Sequence, residues 1–162
     1  MPKSKFKNPA LTVDGLILFE NGEIALIQRG NEPFKGQYAL PGGFVDYGES
    51  VERALIREMK EETNLDVKPK KLIGVYSDPF RDPRGHTVSV AFECKLISSS
   101  DKYKAGDDAK KAVRKPIETV NNMNLAFDHN KIVADYLKTI KSKRKTRRRN
   151  STVKKTRTYK KS

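Results

Sequence analysis

The chain has 162 residues, enough for one domain with a real core and too few for two ordinary ones, and its formal net charge is +14. Its single cysteine, Cys94, excludes an intramolecular disulfide framework and fits a reducing, intracellular, cytoplasmic setting. No stretch nears the ~18 apolar residues of a membrane span, and "MPKSKFKNPA" lacks the apolar core of a secretory signal, so no membrane association is expected. The charge is uneven. Twelve of the 34 Lys and Arg fall in residues 141–162, which hold no acid, so residues 1–140 carry 22 basic against 20 acidic side chains. The division predicts a nearly neutral domain over 1–140 and a basic, disordered tail over 141–162.

In chain order, "ALTVDGLILF", the turn signal "ENG" and "EIALIQR" predict a β-hairpin. "GNEPFKGQ" breaks regular structure, and "YALPGGFV" gives a short strand interrupted at Pro41, Gly42 and Gly43. "GESVERALIREMKEETN" predicts a helix with Asn64 as a left-handed terminator. A strand over 71–77, the loop "SDPFRDPRGH" and the alternating strand "TVSVAFECKL", with a buried Cys94, follow. Residues 98–110 read as a polar loop, "KAVRKPI" as a further strand, and "DHNKIVADYLKTI" as a terminal helix. His86 and His129 read as local hydrogen-bonding residues. The pattern mixes strands and helices without an internal repeat.

The central helix carries the chemistry. On a helical wheel with Val51 at zero and about 100° per residue, Ala54, Leu55, Met59 and Leu65 fall within an arc of roughly 140°. Glu58 and Glu62 land within about 20° of Val51, inside that apolar stripe, whereas Arg53 and Lys60 lie opposite. Two carboxylates one turn apart repel when ionised, and burying them is costly without a cation. The surrounding donors are carboxylates and backbone carbonyls, with no His or Cys nearby, which points to Mg²⁺ or Mn²⁺ rather than Zn²⁺. Glu61 lies at the edge of the same face. Arg57, two turns from Glu49, can orient the acids through paired hydrogen bonds.

The segment resembles the Nudix box, G-x5-E-x7-R-E-U-x-E-E-x-G-U with U aliphatic, through Gly43, Glu49, Arg57, Glu58, Met59, Glu61, Glu62 and Leu65. It departs at Asn64, where the box has Gly; Asn is the best substitute for Gly in a left-handed position. The resemblance implies an α/β (α+β) fold, the Nudix α/β/α sandwich with a central mixed β-sheet. It also implies hydrolysis of a nucleoside diphosphate linked to another group. Carried over, Glu58 and Glu62 are the principal metal ligands, with Glu61 and the Gly43 carbonyl close by. Glu49 and Arg57 support them. The ions would neutralise the diphosphate, polarise phosphorus and generate hydroxide from water.

"NEPFKGQYALPGGFVDYGE", "GVYSDPFRDPRGHTVSVAFECK", "AGDDA" and "LAFDH" are similar to ADP-ribose pyrophosphatases of this family over roughly residues 10–137. That likeness makes Asp107 or Asp108 the loop acid that places or activates water, and ADP-ribose, cut to AMP and ribose 5-phosphate, the expected substrate. After "AGDDA" the chain departs, with Lys111 where relatives often carry an acid. Arg81 and Arg84 are candidates to clamp phosphate or ribose. Phe34, Tyr38 and Phe80 are candidates for adenine stacking, and Gln28 and Arg29 for substrate contact. The same catalytic helix also suits capped RNA, oxidised nucleotides or dinucleotides. A non-enzymatic reading is an ADP-ribose-sensing regulator, although such proteins carry a winged helix and here only the tail follows. Many enzymes of this kind are dimers, so a homodimer is expected. The tail is dense enough to bind nucleic acid electrostatically and resembles a nuclear-import patch; it equally fits a solubility extension.

Overall fold

A computed structural model describes residues 7–97 and 109–142. In chain order the elements are β1 (Ala10–Leu16), β2 (Glu23–Arg29), β3 (Tyr38–Ala39), β4 (Gly42–Phe44), α1 (Val51–Thr63), β5 (Val67–Tyr76), β6 (Thr87–Leu96), β7 (Ala109–Pro116) and α2 (Ile117–Asn121). A further helix, α3, runs over 129–142. The strands divide between a mixed four-stranded sheet, ordered β4-β1-β6-β5, and an antiparallel three-stranded sheet, ordered β3-β2-β7.

Alternation along the strands sorts side chains into two cores. On one side, Val13 of β1, Ala25 of β2, and Phe92 and Cys94 of β6 pack on Ala54, Leu55 and Met59 of α1. On the other, Leu16, Ile24, Leu26 and Ala91 meet Ile132, Val133, Tyr136 and Leu137 of α3. Helices therefore cover both faces of the strands, the layering that the sequence implied. α1 begins at Ser50, whose hydroxyl accepts from the Arg53 amide at 3.3 Å, and ends at Asn64, whose φ is 57°. Asn tolerates that left-handed geometry, which is why the helix stops there.

The predicted hairpin of β1 and β2 does not form. β1 pairs with β4 and, in parallel, with β6, whereas β2 pairs with β3 and β7. Among the described residues, a bridge between Leu18 and Ile24 and the Phe19 amide bonding to the Glu23 carbonyl join the two arms at the turn. Both strands are buried on two faces, so each takes a partner that continues the sandwich, and the chain crosses between sheets at the turn. The strand predicted over 38–45 likewise splits at Leu40 and Pro41 into β3 and β4, one in each sheet. β5 starts at Val67, four residues before the predicted strand. Asp107, Asp108 and residues 143–162 of the basic tail lie outside the described residues.

Candidate active site

α1 brings its acids beside β4 because its apolar stripe docks on Val13 of β1, Ala25 of β2 and Phe92 and Cys94 of β6. Among the described residues, Lys60 and Arg53 face solvent while Glu58 and Glu62 turn inward. Arg57 braces the group. Its Nε and Nη2 donate to the two Glu49 oxygens at 3.0 and 2.9 Å, and its Nη1 donates to Glu58 Oε1 at 2.7 Å and Glu61 Oε2 at 3.4 Å. Nη2 also donates to the Phe44 carbonyl at 3.0 Å, which fastens the helix to the end of β4. The bond from Arg57 holds the Glu49 carboxyl below the usual range.

Glu58 and Glu62 behave differently. Burial, opposed by Arg57, raises Glu58; burial, with repulsion from Glu58 and Asp14, pushes Glu62 up to about 8 although the Gly42 amide donates to it at 2.9 Å. Gly43 lies against this pair so closely that an added Cβ would stand 2.5 Å from the Glu58 carboxylate carbon. These two inward carboxylates, uncomfortable as anions and backed by a position with no side chain, fit a hard divalent cation by donor chemistry and by space. Among the described residues no three such side chains form a preformed cage. Glu61 is half exposed and turned toward Arg57.

In front of the acids opens a cavity of about 310 Å³. Glu58, Gly43 and Asp46 line it together with Arg29 and Arg84, and Asp14, Arg81 and His129 line it as well. Asp14 accepts from the Ser89 hydroxyl and lies 3.4 Å from His129 Nε2. His129 Nδ1 in turn accepts from the Leu40 amide at 2.9 Å, so its proton sits on Nε2. Burial keeps this imidazole below its ordinary pKa, hence neutral. It therefore anchors the segment that carries Gly42 and, through Gly42, Glu62.

The candidates named from sequence separate in this geometry. Arg29, Arg81 and Arg84 line the cavity. Arg81 is buried and its Nε and Nη2 are taken by Asp128, at 3.0 and 2.5 Å, so it ties the loop before β6 to the start of α3. Burial works to lower its pKa, but Asp128, Asp14 and Asp82 together raise it. Phe34 packs edge-on to Phe127 at the rim, 4.9 Å between centroids. Tyr38 points to the α3 core beneath Lys115, Gln28 bonds to the Gly36 carbonyl, and Phe80 is 93% exposed; none of the three lines the cavity. Sequence reasoning missed Asp14, Asp82 and Phe127. An acid inside the apolar run "LTVDGLIL" was a legible signal for Asp14; Asp82 and Phe127 had none outside their loops.

A family profile for the NUDIX domain matches residues 8–136. The chain belongs to the Nudix family. It is 53% identical over 134 residues to the ADP-ribose pyrophosphatase of Methanocaldococcus jannaschii, covering 82% of this chain and 76% of that protein. The structure resembles the NUDIX domain of Shewanella oneidensis NrtR complexed with ADP ribose, with a TM-score of 0.69 and 27% identity, covering 86% of this chain and 93% of that one. It also resembles a bifunctional NMN adenylyltransferase/ADP ribose pyrophosphatase from Francisella tularensis complexed with AMP and a Mn ion. There the TM-score is 0.70 and the identity 32%, over 85% of this chain and 43% of that one. Among the described residues no helix of this Nudix protein is long and apolar enough to cross a membrane.

Proposed function

We propose that this Nudix protein hydrolyses ADP-ribose to AMP and ribose 5-phosphate with Mg²⁺ or Mn²⁺ held at Glu58 and Glu62. The observation that carries the reading is the mixed charge of the cavity lining, where the Glu58, Asp14 and Asp46 carboxylates share one space with the Arg29 and Arg84 guanidinium groups. A diphosphate would suit that lining, with a cation at the carboxylates and the arginines as direct partners of its oxygens. The likeness to the M. jannaschii ADP-ribose pyrophosphatase supports the choice of substrate.

A bound divalent cation supplies charge neutralisation and polarisation of the P–O bonds. The protein's own residues do the rest. Arg57 and Glu49 fix the helix against β4, so the acids are pre-aimed. Gly43 leaves room beside Glu58. Water adds its oxygen to one phosphorus, the bridging P–O bond breaks toward the other phosphate, and the water's protons leave to solvent through a carboxylate. Glu61 and the loop acids Asp107 and Asp108 are the candidates for that transfer, and Glu61 accepts from Arg57 Nη1 at 3.4 Å.

A divalent-cation-dependent hydrolysis panel of ADP-ribose, NADH, dinucleoside polyphosphates, oxidised dGTP and capped RNA tests the proposal. ADP-ribose should give the highest kcat/KM. Preference for capped RNA would overturn it, and tight ADP-ribose binding without turnover would assign the domain to sensing instead.

A further inference from the structure

Phe34 and Phe127 both adopt left-handed backbone conformations, with φ of 63° and 54°. A bulky side chain in that region is uncommon and persists where its surroundings over-determine it, often at functional sites. Here the surroundings are cationic. The Arg29 guanidinium carbon lies 4.7 Å from the Phe127 centroid and that of Arg84 lies 5.3 Å from it, while Phe34 meets the Phe127 ring edge-on. Arg84 is also 5.1 Å from the Phe44 ring, and Asp82 fixes it from below through Nε at 3.0 Å and Nη2 at 2.7 Å. Arg29 Nε donates to the Pro33 carbonyl at 2.7 Å, and the carboxylates of Glu62, Asp82 and Glu32 act on its charge.

We infer that Phe127 is a positioning residue that holds Arg29 and Arg84 together as a seat for one phosphate group of the diphosphate. The inference rests on the proposed substrate class and specifies how its site is built. With both guanidinium groups stacked on it, Phe127 serves as a spacer rather than as a platform for adenine. Two cations around one ring repel, and burial together with Arg84 lowers the pKa of Arg29; a negatively charged phosphate of the diphosphate relieves that repulsion. Arg81 cannot join the seat because Asp128 occupies its fork.

Titration of the full chain with inorganic diphosphate in EDTA, by calorimetry, tests the seat without metal or turnover. Phe127→Leu should weaken binding about tenfold and Phe127→Tyr, which keeps the ring face, should restore it to within about threefold. With ADP-ribose, Phe127→Leu should raise KM about tenfold and change kcat less than about threefold. Arg29→Gln should at least match these losses, and combining it with Phe127→Leu should cost less than the sum of the two, because Phe127 acts in part through Arg29. The basic tail is common to all variants, so differences between them report the seat. Equal binding by Phe127→Leu and wild type, no restoration by Tyr, or full additivity with Arg29→Gln would overturn the inference. If the wild type binds diphosphate through these residues yet does not cleave ADP-ribose, the substrate proposal falls and the seat stands. If ADP-ribose is cleaved with KM indifferent to Phe127, the reverse holds.

Discussion

Glu62→Gln should stabilise the metal-free protein. With the Glu62 carboxyl at about 8 in the fold against 4.5 ordinarily, the unfolded chain ionises this group at a pH where the folded protein keeps it protonated. The group's contribution to stability is therefore fully present only below about pH 4.5, and it is lost progressively as pH rises through about 8. The loss is about 3 kcal/mol at pH 7 and approaches about 5 kcal/mol above pH 8, at 1.36 kcal/mol per unit. The substitution removes the ionisation and leaves an amide oxygen that still accepts from the Gly42 amide, so the variant avoids the loss. For a domain of this size about 3 kcal/mol corresponds to about 10 °C in Tm. The assay is thermal unfolding from pH 6 to 9 in EDTA and again in millimolar Mg²⁺. Wild type should melt lower as pH rises in EDTA and recover with Mg²⁺, which binds only the fold; the variant should melt higher in EDTA and respond little to Mg²⁺. A variant no more stable than wild type in EDTA at pH 8, or a wild-type Tm flat with pH, would refute the reasoning.

Arg57→Lys keeps the charge but loses the fork that grips both Glu49 oxygens and the Phe44 carbonyl, so kcat should fall about 100-fold, with Arg57→Ala no worse than tenfold below it; steady-state kinetics reads both. Gly43→Ala places a methyl 2.5 Å from the Glu58 carboxylate carbon, and should abolish the Mg²⁺-induced rise in Tm while costing about 1–3 kcal/mol of stability in denaturant titration. His129 is held neutral by burial, so its contribution to stability is present above the ordinary imidazole pKa of about 6.5 and is lost as pH falls below it. His129→Asn should flatten the decline in stability between pH 7 and 5 by up to about 1.4 kcal/mol per pH unit, as measured by urea unfolding at each pH.

The helix and its acids were legible because periodicity reports burial directly: an apolar stripe containing Glu58 and Glu62 is anomalous in one dimension. Asn64 was legible as the helix terminator because its side chain tolerates the left-handed backbone that ends α1. Strand partnership was not. A turn signal at "ENG" says that the chain reverses, not that the arms pair, and β1 finds its parallel partner at Thr87–Leu96, far along the chain. The arginine pair in the cavity was only partly legible. Arg29, Arg84 and Phe127 come from three separate segments, and each alone looks like a surface or core residue. Aromatic character by itself does not say where a ring lies: the loop before β6 turns Phe80 into solvent, and β3 turns Tyr38 toward the core beneath α3.

The most direct test of the account is quantification of products from ADP-ribose incubated with the full chain and Mg²⁺, comparing wild type with the Glu58→Gln/Glu62→Gln double variant. Equal amounts of AMP and ribose 5-phosphate are expected, abolished by EDTA and lowered at least about 100-fold in the double variant. Undiminished turnover by that variant, or no cleavage by wild type with either Mg²⁺ or Mn²⁺, would contradict it.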